Sequence, residues 1–100
     1  MIIEKQNQRR GVSSLQIKYT RDAIKFLDKQ AKKTVERIRQ AISKLALNPS
    51  EGDIVSLQGY SDDRKRLRIG AWRVIFKYTS ENQIEILLII DIGNRGDIYK

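Results

Sequence analysis

The alternation of apolar and polar residues predicts a strand followed by two helices in the first half of the chain. Residues 15–19 alternate with a period of two, which indicates a strand that buries one of its faces. Thr20 can cap the helix that follows, in which apolar residues recur at spacings of three and four. A second, stronger helix begins at Lys32-Lys33 and stops at Asn48-Pro49, because proline cannot continue a helix. Its apolar face consists of Val35, Ile38, Ala41, Ile42 and Leu45.

The second half of the chain has the pattern of short strands joined by turns. The predicted strands cover residues 54–57, 64–69, 72–78 and 83–92. Gly70-Ala71 and Ser80-Glu81-Asn82 are the predicted turns between the last three strands. The final strand is the most hydrophobic and carries apolar side chains on both faces over residues 86–90. That pattern is typical of a strand in the interior of a sheet.

This order of elements predicts an α+β fold in a single domain. The two helices form an antiparallel hairpin whose joint apolar face needs a sheet to cover it, so we expect two layers, with the hairpin on one face of a small, mostly antiparallel sheet. One hundred residues are too few for a second domain with its own core. Residues 1–14 show no sustained period, and we interpret them as an N-terminal extension, where mobility commonly concentrates. Residues 15–100 form the predicted domain, and the sheet face opposite the helices is left open.

Composition favours a polyanionic partner and limits the available chemistry. Lysine and arginine outnumber aspartate and glutamate by 20 to 12, which gives a net charge of +8. Such an excess attracts nucleic acid, an anionic membrane surface or an acidic protein, although some basic proteins are merely soluble. The longest apolar run, residues 86–90, is far shorter than the roughly 20 residues that span a bilayer, and residues 1–14 lack the apolar core of a signal peptide. We therefore expect a cytoplasmic protein with no membrane partner.

The chain contains neither cysteine nor histidine, which removes thiolate nucleophiles, the commonest metal ligands and the usual general base near neutral pH. We expect no metal and no cofactor. Any catalysis must use lysine, arginine, tyrosine, carboxylates or hydroxyls.

Strand alternation places a row of cations on the open face of the predicted sheet. Alternate residues of a strand share a face, so Arg64, Arg66 and Arg68 project together, away from the helices. On the next strand Arg73 and Lys77 fall on the same face, while Trp72, Val74, Phe76 and Tyr78 face the core. Guanidinium groups bind phosphate with two parallel hydrogen bonds. Cations alternating on an exposed strand are also commonly just a solvated face that prevents aggregation at a sheet edge.

A nuclease built on such a face has one economical route without a metal. The 2′-hydroxyl of the RNA attacks the adjacent phosphate, which leaves a 2′,3′-cyclic phosphate and a 5′-hydroxyl. Arginines can stabilise the extra charge of the phosphorane, which is commonly the largest contribution to catalysis. Proton transfer is harder to assign, because tyrosine and lysine titrate near pH ~10 and arginine above ~12.

Four segments of the chain resemble RelE-like toxins of the RelE/ParE superfamily in order and in spacing. They are residues 19–23, Leu57-Gln58-Gly59-Tyr60, residues 66–76 and residues 92–99. The likeness spans about residues 15–99 and implies the RelE-like fold. It also implies the toxin of a type II toxin–antitoxin system, a ribosome-dependent messenger-RNA endonuclease that a cognate antitoxin neutralises by wrapping it. The implied partners are an acidic antitoxin and the ribosome with its messenger RNA.

The resemblance also implies roles for individual residues. The family's paired basic residues fall on Arg64 and Arg66, its strand arginine on Arg73, its tail arginine on Arg95 and its C-terminal tyrosine on Tyr99. We predict Arg66, Arg73, Arg95 and Tyr99 as catalytic residues, and Arg64, Lys65, Arg68 and Lys77 as RNA-binding residues.

This sequence departs from the family's pattern at two places. Arg64 and Arg66 replace the lysines of ribosome-dependent members, and Asn94 stands where many members have histidine. Both changes keep phosphate binding but leave proton transfer unassigned. The same fold also hosts ParE-like toxins, which inhibit DNA gyrase, so gyrase inhibition and a non-catalytic nucleic-acid-binding module stay as alternatives.

Overall fold

A computed structural model describes residues 15–47 and 50–94, which form two helices and five strands. The elements are β1 (Leu15–Tyr19), α1 (Arg21–Asp28), α2 (Lys32–Lys44), β2 (Asp53–Ser56), β3 (Lys65–Ile69), β4 (Trp72–Glu81) and β5 (Ile84–Asn94). The predicted extension at residues 1–14 and the predicted helix stop at Asn48-Pro49 lie outside the described residues. Among those described, no helix is both long and apolar enough to cross a membrane.

The strands form one mixed sheet in the order β1-β5-β4-β3-β2. β1 pairs with β5 in parallel, and the other three neighbouring pairs are antiparallel. Both helices pack on one face of this sheet, which confirms the predicted α+β architecture. β5 lies between β1 and β4, which is the interior position that its two apolar faces indicated.

Thr20 fixes the point at which the first helix leaves the sheet. Its hydroxyl oxygen accepts a hydrogen bond from the backbone N–H of Ala23 at 3.2 Å, which is the predicted helix cap. The same hydroxyl donates to the carbonyl oxygen of Ile90 at 2.6 Å, and the Thr20 N–H donates to the carbonyl of Ile89 at 3.0 Å. One residue therefore both starts α1 and attaches it to β5.

The core lies between the helical hairpin and the inner face of the sheet. Its largest fully buried side chains are Phe76, Ile38, Ile42, Leu45, Leu67, Leu87, Ile89 and Val74. Full burial of one such side chain stabilises the fold by about 1.5–3 kcal/mol. All the core residues of β3 and β4 are alternate residues, so the intervening residues face the other side of the sheet.

The turn between β4 and β5 begins two residues later and ends one residue later than predicted. β4 continues through Ser80 and Glu81, and the chain reverses at Asn82 and Gln83, whose φ angles are 51° and 67°. Two successive left-handed residues make the hairpin turn whose twist matches that of the flanking strands. The polar end of β4 remains in the sheet because its pairing depends on backbone hydrogen bonds rather than on side-chain character.

A bulge in β5 allows two isoleucines to face the core together, although simple alternation would place them on opposite faces of the sheet. Ile75 lies opposite Asp91 while the next residue, Phe76, lies opposite Ile89, so Ile90 is an extra residue on β5. Ile89 and Ile92 consequently both face the helices although they are three positions apart. The bulge also turns Asp91 toward the open face.

Candidate functional site

The register of the sheet brings three arginines together on the face opposite the helices. Arg68 of β3 lies directly opposite Arg73 of β4, and Arg66 lies opposite Ile75, the next residue along this face. We refer to Arg66, Arg68 and Arg73 as the inner arginines. On β5, Gly93 is the partner of Arg73 and has no side chain to cover it.

The inner arginines are more buried than a solvated cationic face would be. Arg66 and Arg73 are only 8% and 6% exposed, and Arg68 is half-buried. The Nε atoms of all three, together with Nη1 of Arg73, are shielded from solvent. Burial of a charged group is costly unless it is compensated. This burial argues against the alternative in which these cations serve only to keep an exposed strand soluble.

The same pairing puts like charges side by side. Arg68 and Arg73 are directly opposite, an arrangement that destabilises an antiparallel pair. Asp53 of β2 lies on the other side of Arg68, with its Oδ2 4.0 Å from Arg68 Nε, and Asp91 lies beyond Ile75 on β5. Two carboxylates thus flank the inner arginines across the sheet. Arg68 and Arg73 themselves remain adjacent, as an anion-binding pair requires.

A second pair of cations lies where β3 begins, beside the interior of β4, and is joined by a carboxylate. We call Arg64 and Lys77 the outer pair. Arg64 donates through Nε and Nη2 to the two oxygens of Asp62, at 2.9 and 3.1 Å, and Lys77 Nζ donates to Asp62 Oδ2 at 3.2 Å. These hydrogen bonds, that from Arg64 above all, hold the pKa of Asp62 well below its usual range, and the hydrogen bonding to Asp62 raises the pKa of Arg64.

Asp62 was not identified from the sequence as a functional residue. The sequence does show a carboxylate two positions before Arg64, which could have indicated their ion pair. The contact of Asp62 with Lys77 could not be foreseen in this way, because the two residues are 15 positions apart. The guanidinium carbon of Arg64 also lies 4.4 Å from the ring centre of Tyr60, within range of a cation–π interaction. The outer pair is therefore already engaged with groups of the preceding loop.

Lys65 is a predicted site residue that the described structure places away from the open face. Lys65 alternates to the face of its partner Phe76, and its Nζ donates to the backbone oxygen of Asp63 at 3.3 Å. Arg95 and Tyr99 lie outside the described residues. The predicted RNA-binding role of Lys65 and the predicted catalytic roles of Arg95 and Tyr99 remain predictions.

The aromatic residues of β1 and β4 support the fold rather than the arginine face. Trp72 packs against the core, with the guanidinium of Arg37 5.6 Å from its ring centre. Tyr78 donates its hydroxyl to the carbonyl oxygen of Leu45 at 2.6 Å, which ties β4 to the end of α2. Burial raises the pKa of Tyr19, partly offset by the nearby charge of Arg39. Trp72 therefore packs with the core as predicted. Tyr78 departs from that prediction, because it is 39% exposed and meets the core only through an edge contact with the ring of Phe76.

Acidic residues do not gather into a potential metal centre in the described part of the chain. Residues 15–47 and 50–94 contain no group of three or more carboxylates that could hold a metal ion. The cationic groups on the open face would also repel one.

The fold is shared with solved toxin–antitoxin structures. The chain is similar to a chain of the archaeal RelE–RelB complex from Pyrococcus horikoshii OT3, with 25% identity and a TM-score of 0.63 over 84% of this chain and 98% of that one. It also has the fold of a chain in the RelB–RelE antitoxin–toxin complex from Methanococcus jannaschii, with 18% identity and a TM-score of 0.61 over 82% and 94% of the two chains. No curated protein matches the sequence significantly.

The two-layer fold is that of a toxin of the RelE/ParE superfamily. Residues 17–99 match the family described as ParE toxin of type II toxin–antitoxin system, parDE. Since the match covers most of the chain, this protein belongs to the ParE toxin family of type II toxin–antitoxin systems. The resemblance noted in the sequence is thereby confirmed at the level of the superfamily.

Proposed function

We propose that this toxin is a ribosome-dependent messenger-RNA endonuclease that inhibits translation in the cytoplasm. The observation that carries the proposal is the group of inner arginines, of which Arg66 and Arg73 are almost fully buried on the open face of the sheet. The similarity to a chain of the RelE–RelB complex from Pyrococcus horikoshii, at 25% identity over nearly the whole of that chain, supports the same function.

The inner arginines suit a phosphate whose charge increases during the reaction. An anion between Arg68 and Arg73 could be bound by both of these directly opposed guanidinium groups. Because Arg73 is shielded from water, its interaction with that anion is stronger than in solvent, and its position changes little as the charge develops. We propose that Arg73 stabilises the negative charge of the phosphorane. Arg66, on the neighbouring strand, is proposed to stabilise the same charge.

The proposed reaction needs no metal, since the attacking group is the 2′-hydroxyl of the substrate itself. The 2′-hydroxyl gives up its proton as its oxygen bonds to phosphorus, the bond from phosphorus to the 5′-oxygen breaks, and that leaving oxygen takes up a proton, which gives a 2′,3′-cyclic phosphate and a 5′-hydroxyl. We propose that Arg95 assists in charge stabilisation and that Tyr99 moves a proton or stacks a base. Arg64, Arg68 and Lys77, which share the open face, are proposed to bind the RNA backbone.

An acidic antitoxin is the proposed partner that restrains this activity. Both similar structures are complexes of RelE with RelB. A net charge of +8 favours a partner of opposite charge, and a partner that covers the inner arginines would exclude RNA from them.

Gyrase inhibition is the second candidate, and the match to the ParE toxin family over residues 17–99 favours it. A toxin of that kind needs a protein-binding surface and no hydrolytic site. Messenger RNA is then not cut, and DNA damage follows instead.

Mapping of RNA 5′ ends after a short induction separates the two candidates. We expect new ends within translated messages, in phase with codons and bearing 5′-hydroxyls, for the wild-type toxin but not for Arg73→Met. A DNA-damage response without new RNA ends would favour gyrase, and 5′-phosphate products would contradict the metal-free reaction.

A further inference from the structure

The outer pair surrounds Asp62 as it would surround a phosphate. The guanidinium of Arg64 meets the two carboxylate oxygens with two nearly parallel hydrogen bonds, and the ammonium of Lys77 reaches one of these oxygens from the neighbouring strand. Bidentate arginine contacts combined with a lysine charge are the arrangement with which proteins bind phosphate groups.

This cluster continues the cationic row of the inner arginines. Arg64 lies two residues before Arg66, and Lys77 two residues after Ile75, so the alternation of the strands keeps both on the open face. Two residues of a strand span about 6.4–6.8 Å, a distance over which an extended RNA strand advances by roughly one nucleotide. An RNA chain that places one phosphate at the inner arginines can therefore place a neighbouring phosphate near the outer pair.

The outer pair differs from the inner arginines in its access to solvent. The side chains of Asp62, Arg64 and Lys77 are 27–28% exposed. An ion pair with this exposure is only weakly stabilising, so a ligand with a stronger anion can displace the carboxylate. Asp62 is held on a loop rather than in a strand, since β3 begins only at Lys65.

From these observations we propose that Asp62 is a built-in competitor of the RNA backbone at Arg64 and Lys77, the outer pair whose RNA-binding role is proposed above. The carboxylate is bound by the outer pair in the free toxin and leaves when a backbone phosphate enters. Asp62 thereby weakens the attraction of the outer pair for polyanions in general. Only RNA that also contacts the inner arginines then binds well. The inference rests on the proposed RNA-binding function of this face.

Two neutralising substitutions in the same loop test the proposal. Asp62→Asn removes the competing charge with little change of shape, and Asp63→Asn is its matched control, because it changes the net charge equally at the adjacent position. The probe is a fluorescently labelled 2′-O-methyl oligouridylate of eight nucleotides, which lacks the 2′-hydroxyl needed for cleavage. Its binding to the full-length toxin is measured by anisotropy over a range of salt concentrations.

We expect Asp62→Asn to tighten binding about fivefold, which corresponds to the loss of one exposed ion pair. The dependence of log Kd on log salt should also steepen by about 0.7 for each further phosphate that the toxin neutralises. Asp63→Asn should change the affinity much less, and the increase in affinity from Asp62→Asn should disappear in an Arg64→Gln background. Circular dichroism of each variant verifies the fold.

Three results would overturn the proposal. Equal increases in affinity from Asp62→Asn and Asp63→Asn would mean that only net charge matters. No increase from a folded Asp62→Asn would make the cluster purely structural. Tighter binding of a hexaglutamate peptide but not of the oligonucleotide would assign the outer pair to an acidic protein. The ribosome does not take part in these measurements, so the competition by Asp62 can be confirmed even if the mapping of RNA ends disproves messenger cleavage.

Discussion

The inner arginines and the outer pair lie in the same row of the sheet but hold their charge in different ways. Arg66 and Arg73 are buried among strands, and Arg73 has a like charge directly opposite. The outer pair is partly exposed and neutralised by one carboxylate. Burial gives a rigid cationic site with a strong local field, which suits charge that develops in a transition state. Exposure and pairing give a site whose ligand can exchange, which suits binding.

The largest expected effect tests the catalytic side of this comparison. Arg73→Met keeps most of the buried volume of the side chain and removes the guanidinium. We expect single-turnover messenger cleavage on saturating ribosomes to slow by about 10²–10³-fold, as for the loss of one charge-stabilising donor, with the loss of toxicity.

Arg21→Ala is the control for Arg73→Met, since it removes an equal charge at an exposed position of α1. It should cleave at nearly the wild-type rate. Full single-turnover cleavage by a folded Arg73→Met would remove Arg73 from the site and leave the proposed catalysis without its main argument.

An intermediate effect is expected from the outer pair. Arg64→Gln should weaken RNA binding by several-fold because it removes a phosphate contact, and lower salt should restore much of the activity, since the remaining cations then attract RNA more strongly. Cleavage by Arg73→Met should not recover in the same titration. Equal rescue of both variants by low salt would erase the distinction between the two regions.

The smallest effect concerns the pH dependence of stability. The pKa of Asp62 is lowered in the folded protein from its ordinary value of 3.8, so its ion pairs stabilise the fold fully above that value and are lost as the pH falls through the lower, folded pKa. The difference in Tm between wild type and Asp62→Asn should therefore be small and constant near neutral pH, and shrink only below 3.8. A difference that already disappears between neutral pH and that value would mean that Asp62 is not held by the outer pair.

The sequence by itself determined the features that depend on neighbours along the chain. Thr20 was identified as a helix cap because its partner, the N–H of Ala23, is three residues away. The common face of Arg66 and Arg68 follows from the two-residue period of a strand, and the order of the motifs indicated the superfamily that the match over residues 17–99 confirms. Local geometry is nearly the same in every fold, so such features are readable before the fold is known.

The tertiary structure alone decided the features that depend on which strands are adjacent and in what register. The contact of Lys77 with Asp62 joins two segments across 15 positions, and the burial of Arg73 depends on β3 and β5 at its sides. The bulge at Ile90 shifts one strand against another, which no period within β5 reveals. Alternation predicts the face on which a cation lies, but its burial and pairing depend on non-local contacts, because solvent access and charge neighbours are set by the packing of distant segments.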